Sequence, residues 1–182
     1  MTLLAALRRY ADNADPATAM ANTVAMVVGA NGPFYPMYVW WVLPEAGRVS
    51  LLTMFAAPFF LAVPWVSRRK GLAGRSALVV VGLANTVWCT ALLGPATGVG
   101  LFVLPCLLLA GLVWAQRATL LALLGLGLVA QQVVLRWPWP ALSGLAPDRQ
   151  AALYVLNASS VGMLLGFLAI AGAGQVRQHL RR

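Results

Sequence analysis

Residues 17–43, ATAMANTVAMVVGANGPFYPMYVWWVL, form an uncharged apolar run long enough to cross a bilayer, with Gly29-Ala30-Asn31-Gly32-Pro33-Phe34-Tyr35-Pro36 in its middle. Each proline removes a backbone donor and crowds the turn before it, so the helix is expected to be interrupted here. In hydrocarbon the freed backbone groups cannot turn to water, so they must face protein or a wet cavity. Asn31 and Tyr35 offer hydrogen bonds at the interruption. Two readings follow: a kink satisfied by neighbouring helices, or the wall of a ligand pocket.

Composition extends the membrane reading to the whole chain. Hydrophobic residues make up 61% and charged residues 9%, against about 25% charged in soluble domains. The mean hydropathy is +0.81. The net charge of +9 does not point to nucleic acid, because the basic residues stand in short groups between apolar runs. They read as topological signals.

Working outward, Met1–Tyr10 reads as a short amphipathic helix, with Leu3, Leu4 and Leu7 on one face and Arg8 and Arg9 placed to meet headgroups. No cleavable signal peptide is expected there. Asp15-Pro16 is a cap followed by proline at the first helical position. Tyr38, Trp40 and Trp41 end the first span as an interfacial aromatic cluster, and Pro44–Arg48 reads as a tight turn. Five further spans follow at about Ser50–Ser67, Ser76–Leu93, Val99–Ala115, Ala118–Leu135 and Gln150–Ala171. The expected fold is an all-α membrane protein, a six-transmembrane-helix bundle. An amphipathic segment (1–16) precedes the bundle (17–174), and a basic helical tail (175–182) follows it.

Orientation follows from charge. With six spans, Arg8, Arg9, Arg68, Arg69, Lys70, Arg75, Arg117, Arg177, Arg181 and Arg182 share one side, and Arg48, Arg136 and Arg149 the other. The positive-inside rule assigns the larger set to the cytoplasm, with both termini. The polar residues then gather in the outer half, and the inner half is nearly bare apart from Asn22, Thr23 and Thr119. This one-sidedness favours an outward-opening cavity over scattered interhelical hydrogen bonds. The candidate lining residues are Asn31, Tyr35, Asn85, Cys89, Cys106, Asn157 and Ser160. Ala158, Gly162 and Gly166 recur at four-residue spacing on the last span, a stripe suited to close helix approach within the bundle or between two copies.

No intramembrane Asp, Glu, Lys, Arg or His is present, which counts against a coupled pump. No acid/base pair, metal spacing or nucleophile–base arrangement is available, so no enzyme, cofactor or metal is expected in this chain. Serine and threonine without a partnered base are expected to bond their own helix. Cys89 and Cys106 read as buried hydrophobes rather than nucleophiles, or as a disulfide if adjacent. His179 is a solvated tail residue.

Arg9-Tyr10-Ala11-Asp12 before the first span, then Gly29, Pro33-Phe34-Tyr35, Tyr38, Trp40-Trp41 and Pro44-Glu45, resemble the start of the six-helix sensor domain of the α-hydroxyketone quorum-sensing histidine kinases. The Val113–Ala122 junction and the final charged helix fit the same pattern. Related six-helix modules front bacterial adenylate and diguanylate cyclases. The resemblance implies a multi-pass receptor of the bacterial inner membrane. It would bind a small lipophilic signal and relay it to a cytoplasmic kinase or cyclase, in cis or in trans; a homodimer through the Ala158, Gly162 and Gly166 stripe would give the tail a twin to act on. In that family the outer part of the fourth helix supplies an aromatic and a small hydroxyl residue to the ligand site. Here Gly98 and Leu101 stand there, a departure from the pattern. The alternative is a small passive transporter or channel, for which an interrupted mid-membrane helix is a common device. A scaffold that only packs against partner helices is a third class.

Overall fold

The computed structural model describes residues 2–138 and 140–180, with the side chains of residues 3, 4 and 175–180 outside the description. Among the described residues it is all helical, without strands. Helix α1 (Leu3–Ala11) starts at a Thr2 cap. Helix α2 (Pro16–Asn31) starts as the sequence predicts, with Pro16 in its first turn. Asp15 accepts from the Thr18 amide at 2.7 Å and from the Thr18 hydroxyl at 2.6 Å. Such a cap satisfies donors that the first helical turn leaves orphaned.

The interruption before α3 (Phe34–Val42) is a kink rather than a break. Gly32 and Pro33 both keep right-handed helical dihedrals. The Gly29 carbonyl, which Pro33 cannot reach, accepts from the Gly32 amide at 3.2 Å instead. The ladder thus tightens by one residue and stays largely satisfied. A Cβ on Gly32 would lie 2.9 Å from Ala57 Cβ, so the elbow is pressed against the next helix.

That helix, α4 (Pro44–Arg69), begins where a tight turn was expected. Pro44 sits in its first turn, and its opening alternates 3-10 and α geometry before becoming regular at Ala57. Proline at the first helical position costs no hydrogen bond, which is why the turn becomes a helix start. The others are α5 (Gly71–Leu93), α6 (Val99–Val113), α7 (Arg117–Leu135) and α8 (Pro147–Leu180). Four helices are long and apolar enough to cross a membrane: α4, α5, α7 and the Pro147–Gly174 part of α8. Helix α6 is shorter, and the remaining apolar run is divided between α2 and α3.

Helices α5 and α6 are central. The first packs on α2, α4, α6 and α7, and the second on α2, α5, α7 and α8. Ala21, Ala25, Phe60, Val79, Leu83, Val103 and Ala110 form the heart of the main core. Lipid tails are as apolar as these residues, so close fit rather than release of water holds them together. Gly162 and Gly166 take no part in that fit: both are exposed, and a Cβ on either would meet nothing within 4 Å.

The connections gather at two ends. Leu43, Ala46, Leu145 and Leu153 cluster at one, hereafter the loop end, where the Ser143 amide donates to the Leu92 carbonyl. At the other, the basic end, Arg68 donates to the carbonyls of Arg9 and Tyr10, and a Cβ on Gly172 would lie 2.7 Å from Leu112. Helix α1 and the far part of α8 therefore share the basic end.

Candidate functional site: a half-satisfied polar cluster and a lateral trough

Four of the seven expected lining residues come together near the loop end. Tyr35 follows the kink in α3, Asn85 and Cys89 lie one turn apart on α5, and Asn157 is fully buried on α8. The Cys89 thiol donates to Asn85 Oδ1 at 3.4 Å, and Asn157 Nδ2 donates to the Thr97 carbonyl at 2.8 Å. The Tyr35 hydroxyl faces the Asn157 amide and Cys89. Even so, neither Tyr35 Oη nor Asn157 Oδ1 has a partner in hydrogen-bond geometry. The Tyr35 hydroxyl and the Asn157 amide thus stand within interaction range of each other without an aligned bond.

The other three lie elsewhere. Asn31 is exposed. Cys106 packs against the main core, its sulfur 2.7 Å from where a Gly82 Cβ would stand. The Ser160 hydroxyl donates back to the Leu156 carbonyl, as Thr86 and Thr90 do to Gly82 and Thr86. Both cysteines are free thiols.

A trough of about 660 Å³ runs between α5 and α7 and is lined by none of the seven. Val80, Ala84, Val87 and Ala91 on α5 face Leu126, Val129 and Val133 on α7, and Trp137, Pro140 and Leu142 line the loop end. At 100° per residue these α5 positions lie opposite Asn85 and Cys89. Helix α5 is therefore a partition with the trough on one face and the polar cluster on the other. Sequence reasoning missed the trough because its lining is apolar apart from the indole N–H groups of Trp88 and Trp137.

The basic end corrects the expectation of a bare inner half. Arg75 Nε donates to Thr18 Oγ1 at 2.8 Å and Nη1 to the Val113 carbonyl at 2.9 Å; Nη2 pairs with Asp15. The guanidinium also lies 5.9 Å from the Trp114 ring centroid, within cation–π range. Thr18, Asn22 and Ser67 are all buried nearby on α2 and α4, and Asn22 donates to the Ala11 carbonyl at 3.0 Å. Burial alone would push the Asp15 carboxyl up, but hydrogen bonds from the Thr18 side chain and backbone and the Arg75 charge outweigh it. The net effect is a pKa below the ordinary 3.8. Arg75 had been read as a topological charge, since its partners lie about forty and sixty residues away in sequence.

Among the described residues no three His, Cys, Asp or Glu side chains converge as metal ligands. What the geometry offers is recognition: a buried donor–acceptor pair, an apolar trough, and one helix between them. No curated protein and no solved structure shows detectable similarity to the chain. The family model MASE7, however, matches residues 7–172, nearly the whole length from α1 to the far turns of α8. The chain thus belongs to the MASE7 family, a family of membrane-associated sensor domains.

Proposed function

We propose that this sensor domain binds a small lipophilic molecule carrying a carbonyl beside a hydroxyl, and that α8 relays the binding. The observation that carries the proposal is the unmet pair. Tyr35 Oη has a hydrogen to give and Asn157 Oδ1 a lone pair to receive one. A buried polar group without a partner costs about 1–3 kcal/mol. A ligand with an acceptor and a donor on adjacent carbons meets both at once, which is the chemistry of an α-hydroxyketone. The two side chains can also turn to each other, and a water molecule offers the same two bonds, so the ligand's apolar part must supply the preference.

Helix α8 suits the relay, since Asn157 lies near its start and its 34 residues run unbroken to the basic end. At 1.5 Å per residue that is roughly 50 Å of rod. Binding acts on it only through different affinities for two packings. In this reading the six apolar passes span a bacterial inner membrane with the basic end and both termini in the cytoplasm. A homodimer through the open Gly162/Gly166 face of α8 presents paired tails to a kinase or cyclase, in cis or in trans. The chain itself is no enzyme. A channel has less support, because Ala25, Phe60, Val79, Leu83 and Val103 pack the space between the two ends.

Thermal unfolding of the detergent-purified protein tests the ligand. Medium-chain α-hydroxyketones should raise the midpoint in proportion to the logarithm of their concentration, and ketones lacking the hydroxyl should do so less. Tyr35→Phe should weaken the response about tenfold, the loss of roughly one net hydrogen bond. Equal response to both ligand sets, or none to either, would count against the assignment.

A further inference from the structure

We infer that the α5–α7 trough is a binding site for one acyl chain of an anionic phospholipid from the leaflet at the loop end. Its lining is apolar apart from those two indole N–H groups. Val80, Leu126 and Val129 at its rim are exposed, so it opens sideways, and Trp137 and Pro140 line its loop end. From Val80 to Ala91 it measures roughly 16 Å along the helix. That is close to the depth of one leaflet's hydrocarbon, about half of a 30 Å core.

Charge argues for the headgroup. Three arginines stand at the loop end: Arg48, Arg136 and Arg149. Arg149 lies within ion-pair distance of Glu45 and Asp148 at 3.6 and 3.5 Å. Arg136 caps α7, three residues beyond the trough residue Val133; it is exposed and has no ion pair among the described residues. A phosphate at the mouth of the trough meets that free cation. Trp88, on the trough wall, is pinned by its indole donating to the Leu52 carbonyl at 3.0 Å, and it stacks at a tilt on Phe55. The wall is thus held rather than collapsible, and lipid packing rather than side-chain rearrangement fills it.

The test reads tryptophan fluorescence in nanodiscs of unlabelled lipid doped with phospholipid whose acyl chains carry bromine. With brominated phosphatidylglycerol, part of the quenching should saturate at a low mole fraction; Trp88→Phe should reduce that part, and Trp88→Phe combined with Trp137→Phe should remove it. Brominated phosphatidylcholine with the same chains should need about fivefold more, the worth of one arginine at an anionic surface. Arg136→Gln should erase the difference between headgroups. Ala84→Phe, at an exposed position on the trough wall, should abolish the saturable part for both lipids. Quenching that rises linearly with mole fraction, equally in wild type and Ala84→Phe, would mean an ordinary annular contact and overturn the inference. Saturable quenching without headgroup preference would overturn the role of Arg136.

Discussion

Arg75→Leu is expected to cost about 2–4 kcal/mol of stability, the largest effect of any single substitution at the basic end. The guanidinium makes two hydrogen bonds to buried or half-buried acceptors and one ion pair, and its side chain is only 13% exposed. Hydrogen bonds to a charged group are worth about 1.5–3 kcal/mol each. Leucine keeps the bulk but strands the Val113 carbonyl, one of the last of α6, to which no further turn donates. The ion pair adds little to this total, because the Asp15 side chain is 48% exposed and screened. Asp15→Asn should therefore cost less than about 1 kcal/mol, since asparagine caps helices about as well as aspartate. Equal losses for the two variants in a chemical or thermal unfolding series would show the carboxylate, not the guanidinium's reach across α2 and α6, to be what matters.

The same pair sets a pH dependence. The folded-state pKa of Asp15 is depressed below 3.8. Its contribution is therefore present above about that pH and lost as pH falls through the lower folded value. Wild type should lose stability on that acid arm, and Asp15→Asn should lose less. Arginine stays protonated throughout and contributes no second slope.

These contacts mark the boundary of what the sequence made legible. The Asp15-Pro16 helix start, the back-bonded threonines and the run of apolar helices rest on patterns within four or five residues, and local pattern is what sequence preserves. The kink at Gly32-Pro33 was half legible. Prolines announce a disturbed ladder, but whether the chain breaks or bends depends on Gly32 fitting against Ala57, a contact from another helix. Depth was a poor guide to company: Asn31 and Tyr35 are one turn apart, yet one is exposed and the other points its hydroxyl at Asn157. The trough left no sequence signal. Alanine and valine at helical spacing describe a packed face as well as an empty one, and which neighbour covers that face is not written in the local pattern.

Gly98→Ala is the other substitution with a large expected cost, about 2–5 kcal/mol, and that cost divides into two separable parts. Gly98 has φ +74°, left-handed backbone in which a Cβ costs about 1–2 kcal/mol. That Cβ would also stand 2.7 Å from Cδ2 of Tyr154, and overpacking of this kind costs about 1–3 kcal/mol. Gly144→Ala isolates the first part, since its φ is +58° and a Cβ there meets nothing within 4 Å. Tyr154→Ala in the Gly98→Ala background should return the second part and leave the first. The position matters beyond stability. The ring of Tyr154 from α8 lies against Gly98. The neighbouring Thr97 carbonyl is what holds Asn157. Forcing the Thr97–Gly98 turn away from α8 should loosen Asn157 and, if the proposed ligand site is correct, weaken thermal stabilisation by α-hydroxyketones more than Gly144→Ala does. A Gly98→Ala protein no less stable than Gly144→Ala, with its ligand response intact, would show that α8 does not depend on this turn.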